Sequence, residues 1–327
     1  MLLHGPNGAG KTNLLEALHV GTQGFSPRAR RDAQMIRFGA DAGRITLAGT
    51  RGDGAFETDV VLTRRESRRV ALNGDRLVSV ERLRQELTTL VFTPDRLAVV
   101  NGAPATRRAY LDRAAGRLFP ARGHLPADYS TVVGQRNAAL RRLRMGQSTR
   151  EALVPWTERT ATLGAELVEL RTDAVALLEE AFTEAAGGLG LESASLAYEG
   201  EPATVADLDG RLEADLDRGG VTGAGPHLHD LRIEAGGRDL RVFGSQGEQR
   251  VAVLSLVMSE AVALRERRGT SPLVLLDDVL SELDGERRAA LAGMISRAAQ
   301  TVVTATAAAA LPGEPAQSLS VTPGAVR

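Results

Sequence analysis

Residues 5–13 read Gly5-Pro6-Asn7-Gly8-Ala9-Gly10-Lys11-Thr12-Asn13. The stretch matches the pattern G-x-x-x-x-G-K-[ST] of a phosphate-binding loop and runs directly into a helical apolar pattern over residues 14–18. Glycines let successive backbone N–H groups turn toward an anion, and the helix N-terminus adds partial positive charge. Lys11 is predicted to bind the β- and γ-phosphates of ATP as a catalytic residue, and the Thr12 hydroxyl to ligate Mg²⁺. All nine residues are therefore candidate ATP-binding residues.

The composition limits the remaining possibilities. The chain has 327 residues, enough for one large or two medium domains, and its net charge of −1 means that any binding to nucleic acid must depend on a local patch. There is no cysteine, which excludes disulfides, thiol nucleophiles and thiolate metal sites. Neither a run of about 18 apolar residues nor a signal sequence is present, so the sequence predicts a soluble, cytoplasmic protein without a membrane partner.

Lys11 is the only lysine among the 40 basic residues, which marks a position where arginine does not serve.

The sequence in front of the loop is unusually short. A phosphate-binding loop normally follows a buried strand, yet only Leu2, Leu3 and His4 separate Met1 from the loop. We therefore expect the N-terminal strand region to be missing.

A second motif lies near the other end of the chain. Four apolar residues, 273–276, run into Asp277 and Asp278, which is typical of a buried strand that carries carboxylates at its C-terminal end. Asp277 is predicted to hold Mg²⁺, and Asp278 to orient and deprotonate the water that attacks the γ-phosphate. The β-branched run 301–304 is predicted to bring Thr304 to the same sheet edge as a further catalytic residue.

A third motif, Ser245-Gln246-Gly247-Glu248, precedes an apolar helical run over residues 251–264. A polar turn that enters a helix is a possible anion site, because the first N–H groups of the helix have no intrahelical partner. The alternative is a plain N-cap at Ser245. The residues alone leave both interpretations open.

The order of periodic patterns predicts four parts. Residues 1–93 are predicted to form the first part of a nucleotide-binding head, with short strands over 44–48, 55–63, 69–72 and 76–80 and a hairpin turn at Asn73-Gly74. Residues 94–224 have helical periodicity, including one long helix that ends at Gly187-Gly188, and form an inserted lobe. Residues 225–306 return to strand patterns as the second part of the head, and residues 307–327 are predicted to be a disordered tail.

Charge is unevenly distributed within the inserted lobe. Residues 94–150 contain 11 arginines and three acids, whereas residues 151–219 contain four arginines and 16 acids. One basic face is therefore available for a phosphate backbone, and the low aromatic content of 3% argues against base stacking. The predicted DNA contacts are Arg107, Arg108, Arg136, Arg141, Arg142 and Arg144, with Arg28, Arg30 and Arg31 as second candidates. His227 and His229 are not predicted to bind a metal, since only Asp230 accompanies them.

The motif order resembles the ABC-type ATPase head shared by structural-maintenance-of-chromosomes proteins, Rad50 and RecF. Four further segments resemble the RecF family of DNA replication and repair proteins: Phe92-Thr93-Pro94-Asp95-Arg96-Leu97, Arg107-Arg108, Gln135-Arg136-Asn137 and Gly225-Pro226-His227. The resemblance covers the chain from the loop to about residue 306 and implies an α/β fold, with an ABC-type P-loop head and an inserted, mostly helical second lobe. Where the family usually has Gly-Pro-His-Arg-Asp-Asp, this chain has Leu228 and His229 after His227.

The resemblance also implies a function. It implies ATP and Mg²⁺ as cofactors and an ATP-dependent homodimer, in which Ser245, Gln246, Gly247 and Glu248 contact nucleotide bound to the other copy. It further implies binding to single-strand gaps and single-strand/duplex junctions, RecO and RecR as partners, and roles in recombinational repair, replication restart and the SOS response.

ATP hydrolysis is expected to be weak and stimulated by DNA, because Asp278 is one methylene shorter than the usual glutamate. The alternative is a non-catalytic DNA adaptor that has lost ATP binding with the N-terminal strand region. A Rad50-like head is disfavoured, because the chain has no long heptad arm and no Cys-x-x-Cys hook.

Overall fold

The computed structural model describes residues 1–29, 31–51, 54–269, 271–298 and 300–327. The chain divides into two compact units. The head unit contains Met1–Arg96, Gly188–Gly190 and Val253–Arg327, and the helical unit contains Leu97–Gly187 and Leu191–Ala252. Within the ranges described, no helix is both long enough and apolar enough to span a membrane.

The described residues form strands and helices with the following bounds. The strands are β1 (Leu2–His4), β2 (Ala42–Arg51), β3 (Gly54–Thr63), β4 (Arg69–Leu72), β5 (Asp75–Arg76), β6 (Thr89–Phe92), β7 (Ala194–Glu199), β8 (Asp230–Ala235), β9 (Arg238–Asp239), β10 (Leu273–Leu276), β11 (Thr301–Ala305), β12 (Ser318–Thr322) and β13 (Ala325–Val326). The helices are α1 (Lys11–Gln23), α2 (Glu81–Glu86), α3 (Ala98–Asn101), α4 (Pro104–Leu118), α5 (Leu125–Arg144), α6 (Val154–Gly188), α7 (Val205–Gly210), α8 (Leu212–Asp217), α9 (Leu240–Phe243), α10 (Gln246–Arg268) and α11 (Gly285–Ala298).

The main sheet of the head unit has the strand order β13-β12-β1-β11-β10-β6. All its neighbouring strands are parallel except the β12–β13 pair at one edge. The central strands β10 and β11 are short apolar runs, as expected for strands that are covered on both faces. Because parallel strands end at the same sheet edge, the residues that follow β1, β10 and β11 lie on one side of the head.

The structure differs from expectation at both chain ends. One short strand, β1, directly precedes the phosphate-binding loop, because three residues suffice when β11 and β12 pair with both of its sides. The predicted disordered tail instead contains β12 and β13, and Val321 is buried in the core beside Leu3. The alternation of polar and apolar residues over 318–322 was a strand signal within a segment rich in small residues.

A second sheet of the head unit has the antiparallel order β2-β3-β4-β5. The hairpin turn predicted at Asn73-Gly74 is confirmed, with φ of 53° and 85°, the left-handed conformation that such two-residue turns require. The strand expected over 76–80 is shorter, since β5 ends at Arg76 and α2 begins at Glu81. Val60 and Leu62 of β3 pack with Val20 of α1 and form a separate core on this sheet.

The helical unit contains α4, α5 and the 35-residue helix α6, whose predicted end at Gly187-Gly188 is confirmed. Its small sheet has the antiparallel order β7-β8-β9, with β7 and β8 paired from Ala194↔Ala235 to Glu199↔Asp230. This pairing places residues 225–252 in the helical unit rather than in the second part of the head. The sequence could not show it, because strand partners are chosen by contacts between segments that lie far apart in the chain.

Candidate functional site

The phosphate-binding loop connects β1 to α1, and two of its glycines are required by the geometry. The Gly5 N–H donates to the Ala305 carbonyl of β11 at 3.2 Å, and a Cβ at this position would lie 2.1 Å from the Val321 carbonyl oxygen of β12. Gly10 precedes α1 with φ 103° and ψ 8°, a conformation that residues with a side chain avoid. The loop is therefore held between the ends of β11 and β12, a contact that the sequence analysis missed because it expected no structure at β12.

Of the candidate ATP-binding residues, 5–10 form the loop and 11–13 begin α1. The Lys11 Nζ donates to the carbonyls of Gly5 and Pro6 at 2.6 and 2.9 Å, so the ammonium lies across the loop. The side chain of Ala9 is buried in the head core, so this residue can contact a ligand through its backbone only. The exposed residues are Pro6, Asn7, Gly8 and Asn13. A polyphosphate that entered the loop would meet the ammonium and the first N–H groups of α1 together.

Asp277 connects the loop helix to the end of β10. Its side chain is buried, and its Oδ1 accepts a hydrogen bond from the Thr12 hydroxyl at 3.1 Å. The same oxygen accepts from the Thr304 hydroxyl at 2.8 Å. A hydroxyl and a carboxylate held together in this way are hard oxygen ligands of the kind that Mg²⁺ takes alongside phosphate oxygens and water. The residues present therefore fit the metal predicted for Thr12 and Asp277.

Asp278 has a different environment from its neighbour. Its side chain is exposed, and its backbone is left-handed, with φ 50° and ψ 30°. The Asp278 N–H donates to the Thr304 hydroxyl at 2.8 Å, and Ser281 donates to the Asp278 carbonyl at 2.9 Å. These bonds stabilise a conformation that non-glycine residues adopt rarely. The backbone of Asp278 is thus fixed beside Asp277, and its exposed carboxylate is accessible to water.

The structure changes the role expected of Thr304. Its side chain is 1% exposed, and its hydroxyl donates to Asp277 and accepts from the Asp278 N–H. A hydroxyl with its proton and one lone pair used in this way is a poor candidate for contact with substrate. Thr304 does lie at the predicted sheet edge, and its contacts are those of a residue that positions both acids; its catalytic role stays a prediction.

The Ser245 motif begins α10 in the helical unit, and both interpretations of its sequence survive. The Ser245 N–H donates to the Glu248 Oε2 at 2.7 Å, and the Glu248 N–H donates to the Ser245 hydroxyl at 3.3 Å, which is a capping box. Arg238 lies 3.5 Å from Glu248. Ser245, Gln246 and Gly247 are nevertheless exposed, so the capped turn presents its residues to a ligand or partner.

Two of the six predicted DNA contacts are wrong. Arg107 is 3% exposed and forms a bidentate pair with Asp230 at 2.7 and 2.6 Å. Arg136 is fully buried and donates to Asp215 and Thr222, both at 2.9 Å. These guanidinium groups are enclosed by their partners, so they stabilise the helical unit and are not available to phosphate. The motif pattern could not distinguish a buried arginine from an exposed one.

The other predicted contacts differ in exposure. Arg108 is half-buried and donates to the His229 carbonyl at 2.7 Å. Three exposed side chains in the last turn of α5, here called the α5 arginines, make no ion pair with any residue in the described ranges: Arg141, Arg142 and Arg144. Of the second candidates, Arg28 is exposed and lies 3.9 Å from Glu16, Arg31 is exposed, and Arg30 lies outside the described residues.

The two histidines after Gly225 are bound by tyrosines. Tyr129 and His227 form a hydrogen bond of 2.8 Å, as do Tyr198 and His229. Burial, reinforced by the charge of Arg171, lowers the pKa of His229 to about 4, and burial also lowers the pKa of His227. Both imidazoles are therefore neutral at pH 7 and belong to the polar core of the helical unit.

Comparison with known proteins agrees with the geometry. The family model for the RecF/RecN/SMC N terminal domain matches residues 1–320. The chain is 37% identical over 317 residues to the DNA replication and repair protein RecF of Heliobacterium modesticaldum, a match that covers 92% of this chain and 85% of that protein. The chain belongs to the RecF family. It is also 33% identical to the DNA replication and repair protein RecF of Bacillus subtilis over 318 residues, with 92% and 85% covered.

Solved structures of this family and its neighbours share the fold. The chain is similar to the structure of the recombination mediator protein RecF-ATPrS in the RecFOR pathway, with a TM-score of 0.83, 25% identity, and 99% and 90% of the two chains covered. An SmcHead bound to the C-winged helix domain of ScpA is 16% identical with a TM-score of 0.58, covering 100% and 88%. The predicted fold class, an α/β ABC-type head with an inserted helical lobe, is confirmed.

Proposed function

We propose that this chain is an ATP-dependent DNA-binding protein of recombinational repair and replication restart, which acts in the cytoplasm as an ATP-induced homodimer and hydrolyses ATP slowly. The observation that carries the proposal is the convergence of three residues at one sheet edge. Lys11 lies across the phosphate-binding loop, and the Thr12 hydroxyl is 3.1 Å from the carboxylate of Asp277. Membership of the RecF family supports the same activity.

In this proposal each residue of the head has one task. Lys11 binds the terminal phosphates as a compact cation, and the N–H groups of the loop surround them. Thr12 and Asp277 would hold Mg²⁺, which neutralises the charge that develops on the phosphates when it is bound. Asp278 orients the attacking water and accepts its proton. Since an aspartate reaches less far than a glutamate, turnover is expected to be slow.

The dimer is supported by the surface around the Ser245 turn. Val242 and Phe243, immediately before it, are 62% and 64% exposed. An exposed apolar pair next to an exposed polar turn is typical of a surface that becomes buried against a partner. In the proposed dimer this surface contacts the other copy, and Ser245, Gln246, Gly247 and Glu248 contact the nucleotide held there.

DNA is the proposed partner of the helical unit. The α5 arginines are exposed within a segment that contains 11 arginines and three acids over residues 94–150. Such a surface favours the phosphate backbone over individual bases. Gaps and single-strand/duplex junctions are the proposed DNA structures, with RecO and RecR as protein partners, because relatives of this chain are named for DNA replication and repair and for the RecFOR pathway.

The decisive experiment measures the mass of the protein in solution with ATP, with ADP and without nucleotide. We expect the unmodified protein to dimerise with ATP but not with ADP or without nucleotide. Lys11→Ala should not dimerise. Asp278→Asn should form a persistent dimer with ATP, because the asparagine keeps the shape of the side chain but cannot accept the proton. Lys11→Arg is the matched control, since it keeps the charge and changes the shape. A Lys11→Ala protein that still dimerises with ATP would overturn the proposed binding site.

The adaptor alternative is measurable in the same preparation. It rests on the loss of the N-terminal strand region, and the presence of β1 directly before the loop argues against it. Titration calorimetry with ATP separates the two functions, because an adaptor binds gapped DNA but releases no heat with ATP.

A further inference from the structure

We propose that Gln249 and Asn101 are positioning residues for the Ser245 turn, and that their hydrogen bond sets the geometry with which this turn meets nucleotide on a second copy. The inference rests on the proposed function, because it concerns the turn that caps ATP in the proposed dimer. Neither residue is predicted from the sequence to contact ATP or DNA, and both belong to the helical unit.

The amide of Gln249 bridges the backbone on the N-terminal side of the turn. Its side chain is buried, and its Nε2 donates to the carbonyls of Leu240 at 3.0 Å and Gly244 at 3.1 Å. These carbonyls belong to the first residue of α9 and to the residue just after its end. Because a four-residue helix leaves most of its backbone groups without helical partners, a side-chain donor is needed to hold this bend.

Asn101 fixes the other end of the same amide. Its Nδ2 donates to the Gln249 Oε1 at 2.9 Å, so both NH₂ hydrogens and the oxygen of Gln249 have partners. The carbonyls of Leu240 and Gly244 require the NH₂ group to face the turn, and Asn101 supplies the donor that the amide oxygen then needs. The Asn101 side chain therefore anchors the end of the amide that points away from the turn.

The backbone on both sides of Asn101 is held by the buried guanidinium of Arg107. The guanidinium of Arg107 donates to the carbonyls of Val100 at 3.1 Å and Gly102 at 2.9 Å, on both sides of Asn101. The same group is the bidentate partner of Asp230 at the start of β8. The backbone that carries Asn101 is thus fixed to the core of the helical unit, which makes it a firm support for the amide.

The backbone of the turn has little space for another conformation. A Cβ at Gly244 would lie 2.5 Å from the Leu240 carbonyl oxygen, and the Gly244 N–H already donates to that carbonyl at 3.1 Å. The next residue is Ser245, the N-cap of α10, and the Gln249 N–H donates to its carbonyl at 2.9 Å. The backbone and side chain of Gln249 therefore hold both sides of the capping turn, and only the side-chain bonds can be removed by mutation.

The test compares Gln249→Ala, Asn101→Ala, the double variant and the surface control Gln147→Ala, whose side chain is exposed. We expect Gln249→Ala to raise the protein concentration for half-maximal ATP-dependent dimerisation by roughly tenfold, because the Leu240 and Gly244 carbonyls lose their side-chain donor. Asn101→Ala should raise it by roughly threefold, because Asn101 is exposed and its hydrogen bond to Gln249 is only partly buried. The double variant should require a protein concentration at most about twofold higher than Gln249→Ala does, because the two side chains act through one bond. Binding of a fluorescent ATP analogue to the monomer should not change.

A second measurement reads the turn without ATP. Hydrogen exchange of the amides of residues 244–248 should be faster in Gln249→Ala and Asn101→Ala than in Gln147→Ala, whether or not a dimer forms. Unchanged exchange, or a loss of ATP binding in parallel with dimerisation, would overturn the inference. If the unmodified protein fails to dimerise with ATP while exchange at the turn still accelerates in both variants, the proposed function fails and the positioning role stands.

Discussion

Replacing Arg136 by methionine distinguishes a structural arginine from a DNA contact. The Arg136 and Asp215 side chains are both 0% exposed and lie 2.9 Å apart. The guanidinium also donates to the hydroxyls of Thr157 at 3.3 Å and Thr222 at 2.9 Å, and to the Leu208 carbonyl at 3.3 Å. Methionine fills a similar length of the cavity but donates no hydrogen bond.

The expected loss of stability follows from the contacts that remain around Asp215. After the change Asp215 keeps the hydrogen bond from the Gly223 N–H at 3.0 Å, but its buried charge loses the Arg136 cation. Removing one member of a buried ion pair costs about 3–5 kcal/mol in free energy of unfolding. Converting Asp215 to leucine in the same chain should recover part of that loss, because the second substitution removes the unpaired charge.

The assay is urea unfolding of the helical unit, followed by circular dichroism at a temperature where Arg136→Met is still folded. Binding of gapped DNA is measured on the same sample and should stay within about twofold of the unmodified protein. A variant with unchanged stability and lost DNA affinity would refute the argument and return Arg136 to the DNA-binding surface.

Three further outcomes are expected. Thr304→Val should lower the free energy of unfolding of the head by about 1–3 kcal/mol and reduce kcat more than ATP affinity, whereas Thr304→Ser should restore both, because the valine leaves the Asp278 N–H unpaired. Changing the three α5 arginines to alanine should leave stability unchanged and reduce the slope of log K against log salt for duplex DNA by roughly 2.7, or about 0.9 per contact. The control Arg159→Ala on α6 should leave this slope unchanged. The slope is measured by anisotropy titrations between about 50 and 200 mM salt. Because the pKa of His229 falls from 6.5 to about 4 on folding, the unfolded chain binds more protons below pH 6.5, so stability should fall as the pH drops from about 6.5 toward 4, and urea titrations of His229→Asn should show a weaker dependence over that range.

The order of motifs along the sequence correctly predicts which residues of the head lie together at one sheet edge. Local patterns identify Lys11, Thr12 and Asp277, and the structure brings them together because β1 and β10, the strands that lead to them, are parallel in one sheet. Local patterns suffice there, since a glycine-rich turn before a helix and acids after an apolar strand are both short-range features.

Predictions that depended on burial failed more often. Arg107 and Arg136 belong to recognisable motifs, and their sequence context gives no sign that Asp230 and Asp215 enclose them from 123 and 79 residues away. The pairing of β12 with β1 is likewise decided by a partner more than 300 residues distant in the chain. A periodic pattern shows which residues favour burial, but the identity of the group that buries them is a property of the folded chain.

Amino-acid order is enough to specify the chemistry: one lysine in a glycine-rich loop, two acids after a buried strand, and a basic segment in a nearly neutral chain. Tertiary structure alone decided which charges face water, which hydroxyl positions the acids, and which amide supports the capping turn. The physical reason is that a charge or hydrogen-bonding group changes its function with its surroundings. A guanidinium in solvent attracts phosphate, whereas the same group sealed against a carboxylate stabilises the fold.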